Sequence, residues 1–397
     1  MNKDIKKILL MLAFYSLSAG MLYNFQELWM GANELSVKTI SIVYSICALI
    51  TVSTIFICSN LLSPKRLRRF ISILLYIKVL LILSLFLLDT SGLKFIIKLF
   101  IMIDYVIDVE ILISVYPLIS IIEKDDKIFA KKGLIYTLFY YIGAILSALL
   151  LGKIIGEIEI TYNFYLLLSS ICVLIAYIFL RSVNIYNYLK EEKKDNDIMS
   201  KLINRLKSDK ISINYLLYIF NGNISYYAIN SLVLTLLISN LQISASTSSY
   251  MLLGLGILSS LLGLLILSKL TLKNNYINIA IKFIGRMITY LLVILFTNKV
   301  TILISIVYTR ILSESYSHIT DAPYINRFSN DLQLSFCNLR EMVGYLSRGI
   351  GTFICGLAIT INIKFAYFVA LVFIIVQLYF AYKVLYLRNR EVKNVWE

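Results

Sequence analysis

The sequence predicts an all-α membrane protein in which twelve transmembrane helices form two pseudo-symmetric bundles of six. The first observation is composition, since hydrophobic residues make up 59% and charged residues only 15% of the 397 residues. Soluble domains hold about 45–50% apolar and about 25% charged residues. The second is a series of apolar runs about 20 residues long, each able to cross the hydrocarbon layer as a helix. The third is an internal repeat that relates the two halves of the chain.

The apolar runs fall into two groups of six, separated by a polar segment. In the first group the predicted helices cover residues 8–30, 38–60, 70–89, 95–119, 134–156 and 162–181. In the second group they cover residues 213–238, 248–269, 276–297, 301–323, 336–360 and 365–387. The predicted organisation is an N-terminal six-helix bundle over residues 1–181, a cytoplasmic linker over 182–211 and a C-terminal six-helix bundle over 212–397.

The linker is the only long polar stretch of the chain. Its charged first part is followed by a short amphipathic pattern that places Ile198, Leu202, Ile203 and Leu206 on one side of a helix. We expect this helix to lie on the inner membrane surface. The other loops are only a few residues long and leave no room for a nucleotide-binding domain.

The repeat appears when the chain is offset against itself by 206 residues. Charged and structural positions then coincide: Asp104 with Arg310, Asp108 with Glu314, Pro117 with Pro323, Asn24 with Asn230, Asp125 with Asp331 and Gly143 with Gly349. The chain contains 3 prolines, so the coincidence of two of them with two charged positions indicates a duplication. The repeat preserves the positions of charge but reverses the sign at Asp104 and Arg310.

The net charge of +15 is unevenly distributed between the two sides of the predicted membrane. Basic residues cluster before the first span, in alternate loops, in the linker and after the last span, while the other loops hold few. This bias predicts that both termini are cytoplasmic. Topology and attraction to anionic lipid account for the excess charge, and we expect no nucleic-acid partner.

Two six-helix halves, a basic central linker and two cytoplasmic termini resemble the major facilitator superfamily. That family's loop between its second and third helices reads G-x-L-a-D-R-x-G-R-[RK], and residues 59–68 here read SNLLSPKRLR, which keeps the leucine and the basic tail but lacks the glycines and the aspartate. The family's antiporter motif of glycine and proline is absent from the fifth span, where Gly143, Gly152 and Gly156 occur without a proline. The resemblance therefore lies in the architecture. It implies that the first, fourth, seventh and tenth helices line a central cavity.

Ionisable residues concentrate on those helices. A charge at the centre of a span costs roughly 2.5–3.5 kcal/mol on insertion scales, so several of them need a water-filled cavity or mutual pairing. The candidates for substrate binding or proton coupling are Asp104, Asp108, Arg310, Glu314, Glu27, Asn24, Tyr226, Tyr227, Asn230 and Arg348. We expect Asp104 and Arg310 to face each other across the cavity. The alternative is a buried structural bridge that holds the two halves together.

Other polar residues receive narrower predictions. Asp104, Asp108 and Glu27 are the carboxyl groups considered for proton coupling. The predicted cytoplasmic gate comprises Asp125, Asp331, Arg340 and Glu341. Lys78, Lys282 and Arg286 lie on supporting helices, and we expect them to snorkel or to bridge to acids. With 1 histidine and 5 scattered cysteines, the sequence predicts no metal site, no cofactor and no disulfide framework.

These features predict a secondary transporter rather than an enzyme. No GxxxxGK[ST] sequence is present, so we do not expect ATP-driven transport by this chain alone. The leading hypothesis is a proton-coupled exporter of a small amphipathic or cationic compound that works by alternating access. The alternatives are an importer of a small polar or anionic solute and a non-transporting sensor or immunity protein with the same fold. We expect a monomer in the cytoplasmic membrane, with a small molecule and protons or another coupling ion as its partners.

Overall fold

The computed structural model describes residues 2–32, 37–61, 64–87, 94–122, 126–152, 158–185, 188, 198–230, 245–269, 275–309, 311 and 330–394. Within these ranges the chain forms helices α1 (Lys3–Ala32), α2 (Val37–Leu61), α3 (Pro64–Leu87), α4 (Lys94–Ile122), α5 (Asp126–Gly152), α6 (Ile158–Arg181), α7 (Ile198–Ser208), α8 (Lys210–Asn230), α9 (Ala245–Lys269), α10 (Asn275–Leu295), α11 (Lys299–Tyr308), α12 (Asn330–Ile361) and α13 (Ile363–Asn394). Except for α7, each of these helices overlaps one predicted span. The prediction of a twelve-helix membrane fold is confirmed.

Helix α1 is the central element of the N-terminal bundle and packs against α4, α5 and α6. Ile8, Met11 and Leu12 are buried in one apolar cluster that includes residues of α3, α4 and α6. Two glycines bring α1 and α5 unusually close. A Cβ atom on Gly20 would overlap the carbonyl oxygen of Tyr140, and one on Gly143 would overlap that of Leu17. Such small residues allow membrane helices to approach backbone to backbone.

The C-terminal bundle repeats this arrangement around α8, which packs against α12 and α13. Its core is rich in large aromatic side chains, and Tyr215, Phe283, Tyr290 and Tyr367 are fully buried. Tyr290 and Tyr367 meet edge to face with ring centroids 5.5 Å apart. Two described stretches, Lys3–Leu22 and Ile363–Arg388, are each long and apolar enough to cross a membrane by themselves.

Two helix seams join the halves, one between α2 and α12 and one between α5 and α9. In the first seam, the Ser45 hydroxyl donates a hydrogen bond to the Gly349 carbonyl oxygen at 3.1 Å. Nearer the C-terminal end of α2, Ile55 packs with Val109 and Ile113 of α4, and Tyr345 of α12 covers this group. Helix α4 therefore also contacts the other half.

The linker helix α7 differs from the sequence-based expectation. It is amphipathic as predicted, but Leu202 and Leu206 are buried in the C-terminal core with Ile211 and Tyr215. Its apolar side is thus covered by α8 and α12 rather than by lipid. Ile203 is 48% exposed and does not join this contact. Packing on the bundle removes the apolar surface of Leu202 and Leu206 from water, which stabilises this position of α7.

Candidate functional site

A buried cluster of charges lies in the N-terminal half, on three different helices. The Lys78 ammonium of α3 forms salt bridges with both acids of α4, at 3.0 Å to Asp104 and in a closer contact with Asp108. The Tyr15 hydroxyl of α1 donates a hydrogen bond to the Asp108 carboxylate. The Lys78 ammonium also lies 5.4 Å from the centroid of the Tyr15 ring. One cation, two carboxylates and one hydroxyl therefore form a single connected group.

The helical period explains why both acids reach the same lysine. Residues four apart lie on one face of a helix, so Asp104 and Asp108 both point from α4 toward α3. The two carboxylates differ in access to solvent, because the Asp104 side chain is 3% exposed and the Asp108 side chain 23%. Lys78 is completely buried. Of the two acids, Asp108 is therefore the more accessible.

Lys78 takes one of the two roles expected from the sequence. It bridges to acids and does not snorkel, since its side chain is completely buried. Tyr136 of α5, which the sequence did not suggest, packs against the same N-terminal core as Tyr15. No spacing pattern marks Tyr136, because its neighbours in space lie on other helices.

A second group surrounds Arg348 of α12 at the joint between the halves. Its guanidinium lies 4.4 Å from the ring centroid of Tyr227, 5.4 Å from that of Tyr105 and 5.7 Å from that of Tyr345. Tyr105 belongs to α4 of the N-terminal half, whereas Tyr227 belongs to α8 of the C-terminal half. Arg348 is therefore held by aromatic faces from both halves, an arrangement that stabilises a cation in a partly dehydrated site.

The predicted substrate contacts Tyr226 and Tyr227 are neighbours in this group. Their rings meet edge to face with centroids 5.1 Å apart. On the far side of Tyr226, the Arg286 guanidinium of α10 lies 6.0 Å from the Tyr226 centroid. The tyrosine pair thus stands between two arginines. Neither Arg286 nor Lys282 snorkels, since they are 2% and 6% exposed.

At the helix ends that the sequence predicts to be cytoplasmic, part of the predicted gate comes together. Arg340 forms a salt bridge with Glu341, and the Arg340 Nε atom donates a hydrogen bond to the Tyr215 hydroxyl at 3.0 Å. Lys132 of α5 is buried, donates to the Leu112 carbonyl oxygen at 3.4 Å and interacts electrostatically with Glu341. Arg340 and Glu341 lie well inside α12 rather than at its start, because this helix begins at Asn330.

Glu341→Gln is expected to weaken closure of the cytoplasmic side, because Lys132 then loses the carboxylate that faces it from the other half. Cysteines introduced on α4 and α12 near this level should become several times more reactive toward a membrane-impermeant thiol reagent added from the cytoplasmic side. Lys201→Gln, on the exposed side of α7, is the control and should leave reactivity unchanged. Equal reactivity in the native protein and in Glu341→Gln would remove Glu341 from the gate.

Several predicted site residues lie outside the described structure. Arg310, Glu314 and Asp125 fall between the described ranges. Asn24, Glu27, Asn230 and Asp331 lie on described helices, but their side chains lie outside the description. The expected contact between Asp104 and Arg310 therefore stays a prediction, whereas the contact of Asp104 with Lys78 is observed.

Two bundles of membrane-spanning helices, joined along two seams in the described part of the chain, define a multi-pass membrane protein. No family model and no curated protein sequence matches the chain. Solved structures do match it over nearly its full length. The chain has the fold of the major facilitator superfamily, as three of these structures show.

Among the matches is a bacterial homologue of the iron transporter ferroportin in its outward-facing state, with a TM-score of 0.70 and 13% identity over 96% of this chain and 99% of that one. The Escherichia coli fucose:proton symporter FucP matches with a TM-score of 0.67 and 13% identity over 96% and 98% of the two chains. The human organic anion transporter MFSD10 matches with a TM-score of 0.61 and 11% identity over 96% and 100%.

Proposed function

We propose that this chain is a secondary active transporter that works by alternating access and uses protons as its coupling ion. The observation that carries the proposal is the Asp108 carboxylate, a partly exposed acid that Lys78 and Tyr15 hold between three helices of the N-terminal half. Ionisable residues inside membrane spans are costly and mark pathways for ions or substrates. The fold is that of transporters that include a proton symporter.

The chemistry of the cluster suggests how a proton is coupled to movement. When Asp108 is ionised, it attracts Lys78 and accepts the Tyr15 hydrogen bond, which ties α1 and α3 to α4. A proton on Asp108 removes its negative charge and leaves Lys78 with Asp104 alone. The tie between the three helices then weakens, and the N-terminal half is able to change its packing. Protonation from one side and release on the other would link this change to the proton gradient.

For the direction of transport, we propose export of a small amphipathic compound against inward proton flow. The short loops between the predicted spans support export. A cationic substrate is less well supported by the structure than by the sequence, because Lys78 already occupies both acids of α4. An importer of an anionic solute is the second candidate, and the arginines beside Tyr226 and Tyr227 favour its substrate class.

The test is reconstitution of the purified protein in liposomes that enclose a pH-sensitive dye. A panel of small aromatic acids, amines and alcohols is added outside under an imposed pH gradient. At least one compound should drive proton movement that protein-free liposomes do not show, and reversing the gradient should reverse the movement. Protein that binds a compound but moves neither that compound nor protons would contradict transport and would favour the sensor alternative.

A further inference from the structure

Arg286 is a buried cation whose partners are all neutral within the described part of the chain. Its Nη2 atom donates to the Tyr290 hydroxyl at 2.9 Å and to the Ser225 hydroxyl at 3.2 Å, and its Nε atom donates to Tyr290 at 3.2 Å. The Tyr226 and Tyr290 rings lie 6.0 and 5.4 Å from its guanidinium carbon. Three hydrogen bonds and two ring contacts, all with neutral groups, thus surround a side chain that is 2% exposed.

The corresponding cation of the N-terminal half has a different environment. Lys78 is neutralised by two carboxylates in the same cluster. Hydroxyl dipoles and ring faces stabilise the Arg286 charge, but they carry no negative charge that cancels it. The two halves therefore share a buried cation on equivalent helices, and only one of the two cations is balanced by acids among the described residues.

A series of ring contacts connects Arg286 with Arg348 at the joint of the halves. Tyr226 lies over Arg286, Tyr227 packs edge to face with Tyr226, and Arg348 lies over Tyr227. Tyr105 of the N-terminal half also contacts Arg348. Arg348, Tyr226 and Tyr227 are all partly exposed.

We propose that this group is a binding site for an organic anion, meaning a carboxylate, sulfonate or phosphate attached to a flat apolar ring. The planar guanidinium of Arg348 binds the oxygen atoms of the anion, and the rings of Tyr227 and Tyr105 flank its apolar part. Arg286 is a positioning residue that fixes Tyr226 and adds positive potential from behind it. This inference names the substrate class of the transporter proposed above and rests on that function.

The first measurement is binding without any gradient, so that it stays independent of transport. The thermal unfolding midpoint of the purified protein in detergent is recorded with 2-naphthoate, 2-naphthylmethylamine or 2-naphthalenemethanol, which share one ring system. A ligand that binds the folded state raises this midpoint. The proposal expects a concentration-dependent rise with the acid only. An equal rise with the amine or the alcohol would overturn it.

The second measurement uses charge-removing and charge-keeping variants. Arg348→Gln should raise the dissociation constant of 2-naphthoate by about 10- to 100-fold, the value of a charge-assisted hydrogen bond. Arg286→Gln should reduce the preference for the acid over the amine, and Arg286→Lys should keep most of it. A merely structural role would make both Arg286 variants equally defective. Lys282→Gln is the matched control on the same helix and should bind as the native protein does.

The competing explanation is that a carboxylate of this chain balances the charge of Arg286. Glu314 is the candidate, because it aligns in the repeat with Asp108, which balances Lys78. If Glu314 balances Arg286, the double variant with Arg286→Gln and Glu314→Gln should recover the stability that Arg286→Gln loses. That recovery, or unchanged 2-naphthoate binding in both arginine-to-glutamine variants, would overturn the anion site. Binding retained without any proton-linked flux would instead overturn the transport function and leave the site in place.

Discussion

Asp108→Asn is expected to abolish proton-driven transport while leaving exchange of substrate for substrate intact. The substitution keeps a side chain that accepts the Tyr15 hydrogen bond, but it removes the group that gains and loses the proton. In liposomes, uptake driven by a pH gradient should fall to the level of protein-free vesicles. Exchange of labelled for unlabelled substrate at equal pH should continue, because it needs alternating access but no net proton movement.

Asp104→Asn is the matched control for this experiment, one helical turn away on the same face of α4. Because the Asp104 side chain is 3% exposed and bonded to Lys78, we expect its substitution to lower stability but to preserve proton-driven uptake. The sequence offers Asp104, Asp108 and Glu27 for proton coupling and makes Asp104 the first to substitute. We propose Asp108 instead, because it is the more exposed of the two acids that contact Lys78. Retained coupling in Asp108→Asn, or a loss found only in Asp104→Asn, would contradict this assignment.

Lys78→Met is expected to be the most destabilising single change in the N-terminal half. It fills the volume of the lysine stem but leaves two carboxylates facing each other without their cation. Removing one partner of a buried ion pair costs about 3–5 kcal/mol, because the remaining charge stays buried and uncompensated. Unfolding of the purified protein in detergent, followed by circular dichroism against temperature, should show a markedly lower midpoint.

Two further variants separate charge balance from simple loss of packing. Combining Lys78→Met with Asp104→Asn and Asp108→Asn removes the whole charge cluster and should recover much of the lost stability. Lys282→Met should cost less than Lys78→Met, because Lys282 bonds the Tyr218 hydroxyl at 3.1 Å and leaves no carboxylate behind. A triple variant as unstable as Lys78→Met alone would show that the lysine acts through packing rather than charge.

The two halves differ in how their buried cations are paired. The N-terminal half places a lysine between two acids, which suits a group that binds and releases a proton. The C-terminal half places arginines on either side of a tyrosine pair, which suits an organic anion. The reversal of sign between Asp104 and Arg310 in the repeat is consistent with this division.

The helices were predictable because the constraint on them is local. A bilayer of fixed thickness requires about 20 apolar residues per span, so run length alone located every membrane helix that the structure describes. The pairing of Asp104 with Asp108 on one face followed from the helical period in the same way. Even the amphipathic pattern of α7 was visible, although the surface that covers Leu202 and Leu206 was not.

The sequence by itself determined the membrane fold, its repeat and the helices that carry the charges, because apolar length and helical period act between near neighbours. The tertiary structure decided which charges meet. It showed that Lys78 binds both acids, that Asp108 is the more accessible of the two, and that Arg286 is surrounded by hydroxyls and rings. These contacts join residues tens of positions apart, and their geometry depends on how whole helices cross, which no local pattern specifies.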